Sequence, residues 1–177
     1  MIRRKERELT AEYKQEADEK IIENILSLPE YMQAETVFAF VGTEREINTM
    51  PLLNAILNAG KKLCVPLCTG AGIMELKEIR ALSELSPGTM GILEPARECR
   101  TVLPEETDLA IIPCVSCSHA GIRLGHGGGY YDRFLAEYNG QCALICREAL
   151  MTESIPTEAH DVTIDCVVTE RGIFRKL

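Results

Sequence analysis

The sequence predicts an α/β sandwich built on a largely parallel sheet, and three observations carry that expectation. Segments with helical spacing alternate with short β-rich runs along the whole chain. The run 109–113 is continuously apolar, as a strand covered on both faces must be. A glycine-rich stretch, 121–129, then leads into an aromatic segment that reads as a helix, so a loop joins strand territory to helix territory near the middle of the order.

Taken in order, Thr10 precedes an amphipathic run in which Ala17, Ile21, Ile22, Ile25 and Leu28 recur at helical spacing, a helix capped at Thr10 and ending before Pro29. Residues 36–41 form a first strand, 49–58 a helix closed by Gly60, and 62–67 a second strand. Residues 73–79 read as a strand leading outward. After 109–113 and the glycine stretch come a helix over 130–138 and strands over 142–146 and 162–168. There is no internal repeat, low-complexity tract or linker, so one domain over 1–177 is expected.

Charge narrows the function classes. A net charge of −8 and a pI near 5.0 argue against duplex nucleic acid or an anionic membrane as the main partner. No apolar run reaches membrane length, and the charged N-terminus lacks the apolar core of a signal peptide. A cytoplasmic monomer acting on small molecules is the expectation. Of the eight cysteines, Cys64, Cys142, Cys146 and Cys166 sit in or beside apolar runs, where a thiol is a small hydrophobe. Cys114-Val115-Ser116-Cys117 is the one CxxC. It has no second pair at a ligand spacing, only Cys99 and His119 in principle, and free thiols are expected.

The densest chemistry lies in Gly121 to Leu135, with five glycines, two arginines, two tyrosines and a carboxylate. Glycines can take positive φ and let backbone N–H groups converge on an anion, and the positive end of the helix beginning near Gly129 adds to the attraction. Arg123 supplies a permanently charged fork and Asp132 a carboxylate able to hold a divalent cation against phosphates. The spacing is neither a Walker A motif nor the dinucleotide fingerprint. The other reading is a plain glycine turn followed by a helix whose Tyr130, Tyr131, Phe134 and Leu135 are core.

The string Arg123-Leu124-Gly125-His126-Gly127-Gly128-Gly129-Tyr130-Tyr131-Asp132 closely resembles the signature of the 5-formyltetrahydrofolate cyclo-ligase family, also called 5,10-methenyltetrahydrofolate synthetases. Glu46-Ile47-Asn48-Thr49, Gly91-Ile92-Leu93-Glu94-Pro95, and the C-terminal segment from Ile155-Pro156 through His160-Asp161 to Val168-Thr169-Glu170 resemble further family segments in the same order. The resemblance implies a three-layer α/β/α sandwich. It also implies the reaction of ATP with 5-formyltetrahydrofolate to give ADP, phosphate and 5,10-methenyltetrahydrofolate. Carried over residue by residue, it implies that Arg123, Leu124, Gly125, His126, Gly127, Gly128, Gly129, Tyr130 and Tyr131 line the triphosphate, with Arg123 and Tyr130 catalytic. Val41, Glu46 and Tyr130 would contact the reduced folate, and Asp132 and Asp161 would hold Mg²⁺. Without the resemblance, Glu46 reads as a solvated turn carboxylate, Asp161 as a turn or strand cap and Tyr130 as core.

The chain departs from the family pattern in places. An early Lys/Arg pair of the family falls upstream of Met1 when Leu9-Thr10-Ala11-Glu12 is matched to the family's Leu-Ser-x-Glu, leaving Arg3, Arg4, Lys5 and Arg7 as substitutes. Pro113-Cys114-Val115-Ser116-Cys117-Ser118 stands where the family reads Pro-Gly-Val-Ala-Phe-Asp. His126 and Gly128 occupy positions that are basic in some members. A non-catalytic relative that binds folate or nucleotide is therefore the alternative, and a cysteine-based metal or redox protein a third reading.

Overall fold

The computed structural model describes residues 1–159 and 161–176; His160, part of the C-terminal match, lies outside the described residues. The chain opens with helices α1 (Ile2–Glu8), α2 (Ala11–Leu26) and α3 (Pro29–Gln33), followed by strand β1 (Thr36–Ala39) and helix α4 (Met50–Asn58). Strands β2 (Lys62–Gly70) and β3 (Ile73–Ile79) come next. The small strands β4 (Leu85–Pro87), β5 (Leu93–Pro95) and β6 (Thr101–Val102) follow. Strand β7 (Leu109–Ile112) leads through β8 (Ser116–Cys117) and β9 (Arg123–Leu124) to helix α5 (Tyr130–Glu137). Strands β10 (Gln141–Ile145), β11 (Cys166–Thr169) and β12 (Gly172–Arg175) complete the chain.

Eight strands make one sheet in the order β12-β11-β10-β7-β1-β2-β3-β6. The five central strands, β11 to β2, run parallel, and β12, β3 and β6 pair antiparallel at the two edges. Period-2 alternation divides the apolar residues between the faces. Val37, Leu109, Ile111, Ala143, Ile145 and Val168 point to one core with α2, α3 and α4. Phe38, Ala110, Ile112, Leu144 and Val167 point to the other with Phe134 and Leu135 of α5. Both faces are covered, which is the three-layer arrangement and explains why 109–112 is apolar at every position.

Local chemistry accounts for the element ends. Thr10 caps α2 as expected, its Oγ1 accepting from the Tyr13 amide at 3.1 Å. The helix ends at Leu26, before Pro29 as expected, and Pro29 occupies the first turn of α3, where its missing N–H costs nothing. The first strand is shorter than expected. Thr49 Oγ1 donates to the Phe40 carbonyl at 2.8 Å and accepts from the Gly42 amide at 2.9 Å, lifting the chain out of the sheet after Ala39. The strand expected over 162–168 begins only at Cys166, because the Ile164 amide donates to the Gly121 carbonyl at 3.0 Å and the glycine segment captures 162–164.

A candidate active site at the carboxyl end of the sheet

The chain leaves β1 for β2 on one side, while β7 and β10 lie on the other, so the crossover direction reverses between β1 and β7. Loops at such a switch point splay apart and leave a crevice. A cavity of about 170 Å³ lies there. Its walls come from the segments after β1 (Phe40, Arg45, Glu46 and Ile47), after β7 (Pro113, Cys114 and Val115) and after β10 (Cys146 and Arg147). Arg3 and Glu6 of α1 and His126 of the glycine loop close it.

One wall is rigid by construction. Arg147 is 3% exposed at its side chain and forms a two-pronged pair with Asp18 of α2, at 2.8 and 2.9 Å. The same guanidinium donates to the carbonyls of Glu46 at 2.8 Å and Arg45 at 3.3 Å, and Asp18 accepts from the Asn48 amide at 2.9 Å. Every polar atom of the buried ion pair is thus hydrogen-bonded, the condition under which such a pair is tolerable, and three of them hold residues 45–48. Gly42 completes the turn, since a Cβ there would lie 2.0 Å from the Ile47 carbonyl oxygen.

The glycine loop is the opposite wall. Arg123 Nε donates to the Pro113 carbonyl at 2.7 Å and Nη1 to Asp132 at 2.9 Å, with its guanidinium 5.4 Å from the Tyr131 ring centre. Gly125 packs against that fork, where a Cβ would come within 2.9 Å of Nη1. Gly127 and Gly129 take φ of 89° and 73°, conformations that side chains disfavour. Among the described residues, none of the amides of Gly125 to Gly129 donates to another protein group. His126 Nε2 then reaches across to Glu46 Oε1 at 3.1 Å. Burial would raise the Glu46 carboxyl, but the His126 bond and the Thr43 amide outweigh it and hold the group below the ordinary carboxylate range.

The structure therefore brings His126 and Glu46 to one opening, with Arg123 and Gly125 packed behind it against the Pro113 carbonyl. Other expected residues stand apart from it. Val41 is 5% exposed in the core beside α4, and its neighbour Phe40 lines the cavity instead. Tyr130 faces away toward the β2–β3 hairpin, beside Cys68. Tyr131 stacks near Phe38 at 6.3 Å, and burial pushes its hydroxyl far above the usual phenol range. Asp132 is exposed and paired with Arg123. Asp161 accepts from the Glu158 amide at 2.7 Å, three residues before the segment that Gly121 holds. Cys99 and His119 do not join the CxxC: Cys99 lies 3.8 Å from Glu84, and His119 sits between Glu148 and Glu153.

Arg147, Asp18 and Arg45 were not expected. A carboxylate at position 18, inside the apolar stripe of Ala17, Ile21, Ile22 and Ile25, and an arginine directly after an apolar strand were the available signals.

A model of the 5-formyltetrahydrofolate cyclo-ligase family matches residues 1–170. The chain belongs to that family. Its sequence is 33% identical to the 5-formyltetrahydrofolate cyclo-ligase of Escherichia coli strain K12 over 180 residues, covering 98% of this chain and 99% of that one. Among solved structures, the 5,10-methenyltetrahydrofolate synthetase of Aquifex aeolicus superposes with a TM-score of 0.86 at 31% identity, covering 98% of this chain and 88% of that one. The synthetase of Mycoplasma pneumoniae shares the fold, with a TM-score of 0.75 at 17% identity over 96% of this chain and 93% of its own.

Proposed function

We propose that this cyclo-ligase family member closes 5-formyltetrahydrofolate to 5,10-methenyltetrahydrofolate with conversion of ATP to ADP and phosphate, at the cavity between the glycine loop and the Glu46 turn. The observation that carries this reading is the His126–Glu46 bridge, which brings two family motifs 80 positions apart in sequence to one opening. In the reaction the formyl oxygen attacks the γ-phosphorus, N10 closes on the activated carbon and phosphate departs. Such a transfer depends on positioning and charge stabilisation more than on a nucleophilic side chain.

The chain's own residues supply those needs. Arg123 is held in place before any ligand arrives by the Pro113 carbonyl and Asp132, so its orientation costs little on binding. The unspent amides of the loop are donors for phosphate oxygens. Arg3 and Arg45 line the cavity, and among the described residues neither forms an ion pair, so both can meet anionic substrate. Arg3 thereby takes the place in this reading that the family gives to its early basic pair. Glu46, ionised and fixed by Thr43 and His126, is an acceptor for the N–H groups of a reduced pterin.

Asp132 and Asp161 are exposed carboxylates, the hard oxygen donors that Mg²⁺ takes, and the Asp161 segment is anchored to the stem of the glycine loop. They would hold the ion, which supplies charge neutralisation across the phosphates. A monomer acting in the cytoplasm is the form in which we expect it to work.

Purified protein with MgATP and 5-formyltetrahydrofolate should generate the near-ultraviolet absorbance of the methenyl product and an equal amount of phosphate. Phosphate without cyclisation would place the fault in the folate side of the cavity. Absence of both from folded protein would sink the proposal.

A further inference from the structure

Behind the cavity wall, three thiols meet. Cys114 follows β7, Cys117 ends β8 and Cys146 follows β10, and their sulfurs all lie within 4.8 Å of one another. Cys117 and Cys146 are buried, while Cys114 and Cys146 face the cavity. Three thiolates around a metal at about 2.3 Å stand about 3.8–4.0 Å apart, so closing on an ion needs less than roughly 1 Å of movement at any sulfur.

We propose that Cys114, Cys117 and Cys146 form a site for one soft divalent cation, Zn²⁺, whose fourth position opens on the cavity. The ligand set is all sulfur, which selects Zn²⁺ and other thiophilic ions over Mg²⁺ or Ca²⁺. Three protein ligands with an open fourth position match a zinc ion that can take water or a substrate atom, in contrast to a closed structural site. Each thiol releases its proton to solvent as it binds, leaving one excess negative charge on the three thiolates and the ion. Arg123, whose charge acts on Cys114, offsets part of it, although that guanidinium is also paired with Asp132. Arg123 is hydrogen-bonded to the carbonyl of Pro113, next to Cys114. The CxxC alone supplies two ligands; the third comes from a strand 29 residues away, which β7–β10 pairing makes adjacent.

The test uses the full chain, reduced with a phosphine and stripped by a chelator. Co²⁺ should bind at one equivalent with intense sulfur-to-metal charge-transfer absorbance, and Zn²⁺ should displace it. Cys117→Ser should abolish that absorbance and weaken Zn²⁺ binding by more than about 100-fold, beyond the effect of losing an outer-shell partner. Cys114→Ser, at a less buried position, should do the same if Cys117→Ser folds poorly, as judged by circular dichroism. Cys68→Ser, outside the cluster, should leave binding intact. The proposal is overturned if Co²⁺ gives no charge-transfer band, or if the Cys68 and Cys114 variants bind Zn²⁺ alike.

Discussion

The turn between β1 and α4 and the glycine loop after β9 face each other across one cavity, and they are held by opposite means. The turn is braced from outside itself: Asp18 comes from α2, Arg147 from the end of β10, and both are spent on residues 45–48. The glycine loop is shaped largely from within, by positive φ at Gly127 and Gly129, with tethers at Arg123 to the Pro113 carbonyl and at His126 to Glu46. The difference separates a wall that must present a fixed acceptor, Glu46, from a wall that must keep its amides unspent. A loop whose donors were satisfied internally would have nothing to offer a phosphate.

Breaking the brace should have the largest effect. Asp18→Ala leaves the Arg147 guanidinium buried without its counter-charge, and a loss of about 3–5 kcal/mol in chemical denaturation is expected. Combining it with Arg147→Met should recover part of that loss, because the uncompensated charge is gone. An unchanged midpoint in the single variant would remove the brace from the argument.

Adding one methyl group to each wall sharpens the contrast. Gly42→Ala drives Cβ into the Ile47 carbonyl, backbone against backbone, and should destabilise by about 3 kcal/mol, the upper end of the usual overpacking range. Gly127→Ala meets nothing within 4 Å and carries only the left-handed backbone penalty, about 1–2 kcal/mol. Equal losses in the two variants would mean that the walls do not differ in rigidity.

Arg123→Ala tests the loop's tether. We expect a stability loss near 1.5 kcal/mol, at the lower end for a charged hydrogen bond because the Asp132 side is exposed, together with loss of the thermal shift that MgATP gives the parent. A retained shift would show that nucleotide binds without this fork.

The smallest effects are electrostatic. Glu46 is depressed in the folded state, so its contribution is present at neutral pH and lost as pH falls below its ordinary value of 4.5 toward the folded one. His119 runs the other way. Burial lowers it, but bonds from Glu153 and Glu148 win and raise it above 6.5, so its contribution is full below pH 6.5 and lost as pH climbs through the raised value. Its ring is partly exposed, and the effect should stay under about 1 kcal/mol. Melting temperatures of the parent and His119→Gln should converge above neutrality and diverge below it.

The sequence by itself determined the layers and the family, and it singled out Glu46 and His126, which the structure brings to one cavity. Unbroken apolar character over 109–112, flanked by other β-rich runs, fits a strand covered on both faces, and glycines at 127 and 129 permit the positive φ they adopt without help from distant residues. The cap at Thr10 was legible for the same reason: its partner is three residues away. What needed the tertiary structure involves partners far apart in sequence. Asp18 and Arg147 are 129 positions apart, and neither carries a local mark beyond being a charge beside apolar residues. Cys146 joins Cys114 and Cys117 only because β10 lies against β7, and residues 162–164 leave the sheet only because Gly121 offers them a carbonyl. Local backbone preference is written in single residues, whereas a buried charge or thiol takes its meaning from whichever strand the topology sets beside it.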